Sequence, residues 1–145
     1  MTAAERNADR AKREQIYQAM KRGEERALPE RDRGPVRRYM RDYVDARFNL
    51  GEWFLPIALL FVILTFVTSK NQVLAFYILL ALYALVMLTL VDAVITWRQI
   101  KKRVTEKFGP EAITKGSAMY CIMRIYQLRR TRLPNPMVRR GQYPA

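Results

Sequence analysis

Asp92 is the only charged residue within the long apolar stretches of the sequence, and its position raises the question of chemistry first. It lies about five residues, or ~7 Å along a helix, before Trp97. A carboxylate inside a membrane-spanning segment is costly, which makes proton or quinone chemistry a hypothesis to consider. Pairing with a first-span or basic flanking residue, or a hydrogen bond to Thr89 or Thr96, is the interpretation that we favour.

The rest of the sequence offers little catalytic chemistry. It contains no His, which removes the usual general base and the commonest metal ligand. The single Cys121 excludes an internal disulfide and a multi-cysteine metal site. Phosphate-binding glycine loops, dinucleotide motifs, zinc-protease motifs and Ser/His/Asp constellations are missing. We therefore expect no enzyme activity, catalytic residue, cofactor or metal, and we expect Cys121 to be a reduced packing thiol, with palmitoylation and redox sensing as alternatives.

Two apolar stretches dominate the organisation of the chain. Residues 53–69 carry no charge, and residues 73–97 carry only Asp92. As helices they would be about 25 and 37 Å long, against a hydrocarbon core of ~30 Å. The fold class that we predict is an all-α membrane protein with a two-helix transmembrane hairpin over 53–97. A buried hairpin in a soluble protein would need far more surrounding chain. A cleavable signal peptide is not expected, because about fifty polar residues precede the first span.

The distribution of positive charge predicts the orientation of this hairpin. Residues 1–52 contain 13 Lys and Arg and residues 98–145 contain 12, whereas the turn between the spans contains only Lys70. The positive-inside rule places both termini in the cytoplasm of a bacterial inner membrane. Trp53 and Trp97 lie at the two cytoplasmic ends, where aromatic anchors are expected.

The amino-terminal flank divides into two segments. Residues 1–35 form a charged segment, with a helix predicted over residues 3–22 and a linker broken by Gly and Pro. Residues 36–52 have apolar side chains at three- and four-residue spacing, which predicts an amphipathic helix. This helix either lies in the membrane interface or packs on the protein's own cytoplasmic tail.

The carboxyl-terminal flank, residues 98–145, is strongly basic. Arg98, Lys101, Lys102 and Arg103 directly follow the second span and are expected to bind anionic phospholipid such as cardiolipin. Gly109 and Pro110 should end that helix, a second amphipathic stretch follows, and the last residues suggest an extended basic tail lying along another surface. Nucleic acid is not the expected partner. The residues expected to contact other integral membrane subunits are Tyr39, Tyr43, Met119, Met123, Tyr126, Arg129 and Arg130.

Two sequence runs resemble a known family. GEERALPERDRGPVRRYMRDYVDARFNLGEWFLP at residues 23–56 and SAMYCIMRIYQLRRTRLPNPMVRRG at residues 117–141 are similar to an actinobacterial family of small two-span membrane proteins that is catalogued as a domain of unknown function. The resemblance implies a two-span topology in an actinobacterial membrane. It also implies a longer basic amino-terminal extension, most of which has no counterpart here, and it brings no catalytic residues.

The expected function is that of a non-catalytic accessory subunit of a larger inner-membrane assembly. The named candidate is the actinobacterial respiratory cytochrome bcc–aa3 supercomplex, a candidate that comes from the family's background rather than from the residues. The alternatives are an anionic-lipid-binding regulator, and a subunit that contributes Asp92 to proton or quinone chemistry.

Overall fold

A computed structural model describes residues 2–145, and all regular structure in this range is helical, with no β-strand. The α-helices are α1 (Ala3–Lys21), α2 (Pro35–Ala46), α3 (Phe54–Val67), α4 (Gln72–Phe108) and α5 (Ser117–Tyr126). Short 3-10 turns connect them at Glu25–Ala27, Glu30–Asp32, Leu50–Trp53, Pro110–Ala112 and Arg129–Thr131. The all-α prediction is confirmed.

Helices α3 and α4 pack on each other as a hairpin. Helix α4 is long and apolar enough to cross a membrane, and so is α3 when it is taken together with the 3-10 turn that precedes it. The helical stretch Leu50–Val67 has a mean hydropathy of 2.2, and the most apolar part of Gln72–Phe108 reaches 2.6. Only 11% of each apolar stretch is buried within the chain. The Asn71 side chain caps α4 by accepting a hydrogen bond from the Leu74 N–H at 3.2 Å.

Helix α4 extends well beyond the predicted span and forms the spine of a second region. It is about 55 Å long and ends, as the sequence predicts, at Gly109, which adopts a φ of +89°. The buried residues of its second half recur at three- and four-residue spacing and therefore share one face: Thr89, Asp92, Ala93, Thr96, Ile100 and Val104. Helices α2 and α5 cover this face.

Helix α2 occupies the centre of the folded region. Pro35 stands at its first turn, where a missing backbone N–H costs nothing. Met40 and Val44 are fully buried in a core that also contains Ile100 and Ile125. Of the two arrangements considered for residues 36–52, the structure has the helix packed against the chain's own carboxyl-terminal half.

The basic tail folds back on the same region, in contrast to the expected extended segment along another surface. The Gly141 N–H donates to the Ala46 carbonyl at 2.7 Å, and the Asn135 N–H donates to the Lys21 carbonyl at 3.2 Å. Arg132 is completely buried. The tail is held because its arginines find carboxylates and carbonyls on this chain, which the local sequence does not reveal.

The predicted helix over residues 3–22 is present as α1 and is exposed along most of its length. Thr2 and Glu5 form a capping box in which each side chain accepts from the other residue's backbone N–H.

Candidate functional site

A buried carboxylate at the end of α2 joins three segments of the chain. Asp45 accepts two hydrogen bonds from Arg124 of α5, Nη2 to Oδ2 at 2.6 Å and Nε to Oδ1 at 3.1 Å. Arg132 of the tail donates to Oδ1 at 2.9 Å. The side chains of Asp45, Arg124 and Arg132 are 1%, 5% and 0% exposed. We call these three residues the Asp45 cluster.

Two arginines on one carboxylate leave an excess of buried positive charge, which backbone carbonyls partly offset. Arg124 Nη2 also donates to the Pro134 carbonyl at 3.1 Å, and Arg132 Nε donates to the Gln127 carbonyl at 3.1 Å. Burial lowers the pKa of Arg132, and the neighbouring Asp45 carboxylate opposes that shift. The cluster acts as a clamp that holds α2, α5 and the tail together.

Glu52 forms a second junction at the base of α3. Its carboxylate accepts from Arg140 Nη2 at 3.0 and 3.1 Å, and from the Arg129 backbone N–H at 3.2 Å. The Arg129 guanidinium donates to the backbone carbonyls of Asp45 and Val138. The tail is therefore fixed both to the end of α2 and to the start of the first apolar helix.

Asp92 is paired with a basic flanking residue, as the favoured interpretation of the sequence requires. Arg47 Nη2 donates to Asp92 Oδ1 at 2.7 Å, and the Leu50 backbone N–H donates to Oδ2 at 3.2 Å. Thr96 donates its hydroxyl to the Asp92 carbonyl at 2.7 Å and accepts from Arg47. Both oxygens of the carboxylate are thus engaged in tying α4 to the segment between α2 and α3.

The residues expected to bind lipid lie on the exposed side of α4. Arg98, Lys101, Lys102 and Arg103 are all exposed. The Arg103 guanidinium also lies 5.3 Å from the centre of the Tyr43 ring, in a cation–π contact. A cleft of about 880 Å³ lies beside these basic residues of α4. The residues that line it include Lys102, Arg103, Lys107 and Tyr143.

The residues expected to contact partners fall into three groups. Tyr39 and Tyr43 are buried inside the chain's own core. Tyr126 donates its hydroxyl to Thr89 at 3.2 Å, and Arg129 is held by the internal contacts described above. Met119, Met123 and Arg130 are exposed. A role in partner binding stays a prediction, and it now concentrates on the exposed residues.

The Asp45 cluster was missed by reasoning from the sequence. Arg124 and Arg132 lie 79 and 87 residues from Asp45, so no local spacing connects them. One signal was available: Asp45 lies in the last turn of α2, where the helix dipole disfavours a negative charge. A carboxylate in that position needs a cationic partner from elsewhere.

Cys121 is a buried thiol in the core between α2, α4 and α5. It is fully buried, and burial raises its pKa from 9.0 to about 12 despite the nearby Arg37 and Arg124. The thiol is therefore protonated and sheltered at neutral pH, as expected for a packing residue.

Comparison with known proteins gives relatives but no activity. Uncharacterized proteins of Mycobacterium bovis and Mycobacterium tuberculosis are 40% identical over 139 residues, which is 95% of this chain and 58% of theirs. An uncharacterized protein of Mycobacterium leprae is 38% identical over the same length, 59% of its own chain. The chain therefore spans about three fifths of the length of these relatives. No solved structure matches it.

A family model described as "Protein of unknown function (DUF3043)" matches residues 1–142. That match covers α1, the apolar hairpin, the Asp45 cluster and nearly all of the tail that folds over it. The chain thus belongs to the DUF3043 family.

Proposed function

We propose that this chain is a non-catalytic accessory subunit of a larger inner-membrane assembly, anchored by α3 and α4. The observation that carries the proposal is that most apolar side chains of the α3–α4 hairpin are not covered by the rest of the chain. Phe66, Leu59 and Met87 are 77%, 61% and 61% exposed, although they lie on helices of high hydropathy. Surfaces of this kind are stable only against lipid or against other membrane helices.

The packing of the two flanks supports a topology with both on the same side of the membrane. The amino-terminal flank supplies Asp45 and the carboxyl-terminal flank supplies Arg124, and the two side chains meet in one buried cluster. A membrane crossed by the hairpin cannot pass between them. The excess of Lys and Arg in both flanks supports assigning that side to the cytoplasm.

The exposed methionines of α5 supply a surface for a partner subunit. Met119 and Met123 are 62% and 58% exposed and lie four residues apart on one helix face. A groove of about 410 Å³ beside them is also lined by Arg31, Arg37 and Lys115. Flexible apolar methionines next to basic groups suit an acidic, apolar segment of another protein.

The test is affinity purification from native membranes in gentle detergent, followed by mass spectrometry. We expect a stoichiometric integral membrane partner, and the cytochrome bcc–aa3 supercomplex is the named candidate. Met119→Glu combined with Met123→Glu should reduce recovery of that partner. Ile16→Glu is the matched control, because it alters an exposed apolar residue on α1. Recovery of the chain alone, bound only to lipid, would contradict the proposal.

Anionic-lipid binding through Arg98, Lys101, Lys102 and Arg103 is the second candidate function. It is favoured by the exposure of all four side chains within two turns of Trp97 on α4. Each such charge close to an anionic leaflet contributes about 1 kcal/mol. Removing the four charges should reduce the enrichment of anionic lipid around the purified chain without changing recovery of the partner subunit.

A further inference from the structure

A groove at the base of α3 combines apolar and cationic walls. It has a volume of about 570 Å³. The apolar wall is formed by Trp53, Pro56 and Leu128, and the polar wall by Glu52, Arg129, Arg130 and Arg140. This groove lies apart from the basic cluster at residues 98–103, which belongs to α4.

The polar wall carries more positive charge than the chain neutralises. Three guanidinium groups face one carboxylate, and Glu52 is already engaged by Arg140 and by a backbone N–H. The Arg129 guanidinium donates only to backbone carbonyls, so its charge has no direct counterion. Within residues 2–145, Arg130 has no carboxylate within 4 Å. The groove therefore has an unmet preference for an anion.

The apolar wall limits the kind of anion. Trp53 is 49% exposed at the start of the first apolar helix, and Pro56 lies one turn further along that helix. An indole at this position is typical of the membrane interface. A ligand that fills the groove must be apolar along α3 and anionic at the arginines.

A second recess continues beyond the same arginines. It has a volume of about 510 Å³ and is lined by Arg129, Arg130, Asn135 and Pro136. The order of surfaces is thus an apolar wall, an arginine pair and a polar recess. This order matches an acyl chain, a phosphate and the polar remainder of a headgroup.

We propose that this groove is a binding site for one anionic phospholipid, with the phosphate at Arg129 and Arg130 and an acyl chain along Trp53 and Pro56. The inference rests on the proposed membrane anchoring, since only a membrane-inserted chain presents the groove to lipid. It deepens that proposal, because the carboxyl-terminal tail would then bind a lipid in addition to holding α2 and α5 together.

The test measures quenching of Trp53 fluorescence by lipids with brominated acyl chains, using the full chain in bilayers with Trp97→Phe to leave one indole. The bilayers contain both lipids in the same ratio, and only one of the two is brominated in each sample. Quenching should be stronger when the phosphatidylglycerol is brominated than when the phosphatidylcholine is. Arg130→Gln should lower this preference about fivefold, the factor that corresponds to one charge near the surface. Arg130→Lys should keep most of it, and inorganic phosphate should not displace the lipid.

Arg139→Gln is the matched control, because it removes one exposed charge from the same tail beside the groove without altering its walls. Equal losses for Arg139→Gln and Arg130→Gln would overturn the inference, since general surface charge would then explain the preference. Equal quenching by the two lipids before any substitution would overturn it as well. Failure of the chain to insert, seen as no quenching by either lipid, would overturn the membrane anchoring itself.

Discussion

Asp45→Asn is the substitution that most directly probes the clamp between the two flanks. It preserves the size of the side chain but removes the negative charge that Arg124 and Arg132 share. Both guanidinium groups would remain buried, because Arg124 is only 5% exposed and Arg132 is fully buried. The folded region would then hold two cations without a counterion.

The expected loss follows from the contacts of Asp45. Three charge-assisted hydrogen bonds end on the carboxylate, at 2.6, 2.9 and 3.1 Å. Removing one partner of a buried ion pair costs about 3–5 kcal/mol, because the remaining charge stays desolvated. Asparagine keeps one acceptor oxygen, so the lower half of that range is expected. At several degrees per kcal/mol for a region of this size, Tm should fall by more than about 10 °C.

Cys121 provides the assay, since it is the only cysteine and is fully buried in the core held by the clamp. Labelling with a thiol-reactive fluorophore during heating in detergent reports the opening of this region. Glu111→Gln, an exposed carboxylate without an ion pair among residues 2–145, is the control and should shift the free energy of unfolding by less than about 0.5 kcal/mol. If the Tm of Asp45→Asn equals that of the control, the conclusion that the Asp45 cluster holds α2, α5 and the tail together is wrong.

Three further predictions concern other contacts of the fold. Asp92→Asn should destabilise the chain by about 1–3 kcal/mol in the same assay, because it breaks the pair with Arg47; normal stability with slower turnover of a parent complex would instead indicate a proton role. Gly51→Ala should cost about 1–3 kcal/mol, since an added Cβ would lie 2.9 Å from Ile125 Cγ2; Tm unchanged from wild type would contradict that packing. Cys121 should resist thiol reagents between pH 7 and 9 in the folded chain and react once denatured; fast labelling of the native chain would show that the core is open. Because its folded pKa of about 12 exceeds the value of 9.0 for the free thiol, its contribution to stability is complete below pH 9.0 and is lost as the pH rises toward 12.

The helices were accessible from the sequence because their signals are local. The unbroken apolar run over residues 73–97 and the glycine at position 109 fix most of α4 and its end. Helix α1 follows from residues that favour helix and from the absence of Gly and Pro over residues 3–22. Each of these features depends on side chains a few positions apart, which periodicity and propensity describe well.

The tertiary contacts could not be predicted from the sequence. They join charged residues that are distant in the chain, and the composition around each of them suggests exposure to solvent. The basic composition of the carboxyl-terminal flank predicts a solvent-exposed, positively charged surface. In the structure, however, Arg132 is buried and Arg124 is paired with Asp45. The same limit applies to Tyr39 and Tyr43, whose helical spacing predicts an apolar face without saying what covers it. The covering elements come from the far end of the chain, and one sequence carries no information on which distant charges meet.

We propose that the hairpin crosses the membrane and leaves both flanks folded together on the cytoplasmic side. Single cysteines introduced as Glu14→Cys, Lys70→Cys and Glu111→Cys in a Cys121→Ser background test it by labelling with an impermeant thiol reagent. In intact cells or right-side-out vesicles, only position 70 should be labelled, and in inverted vesicles only positions 14 and 111. If positions 14 and 111 are labelled from opposite sides, the two flanks do not lie on the same side of the membrane and the proposed topology is wrong.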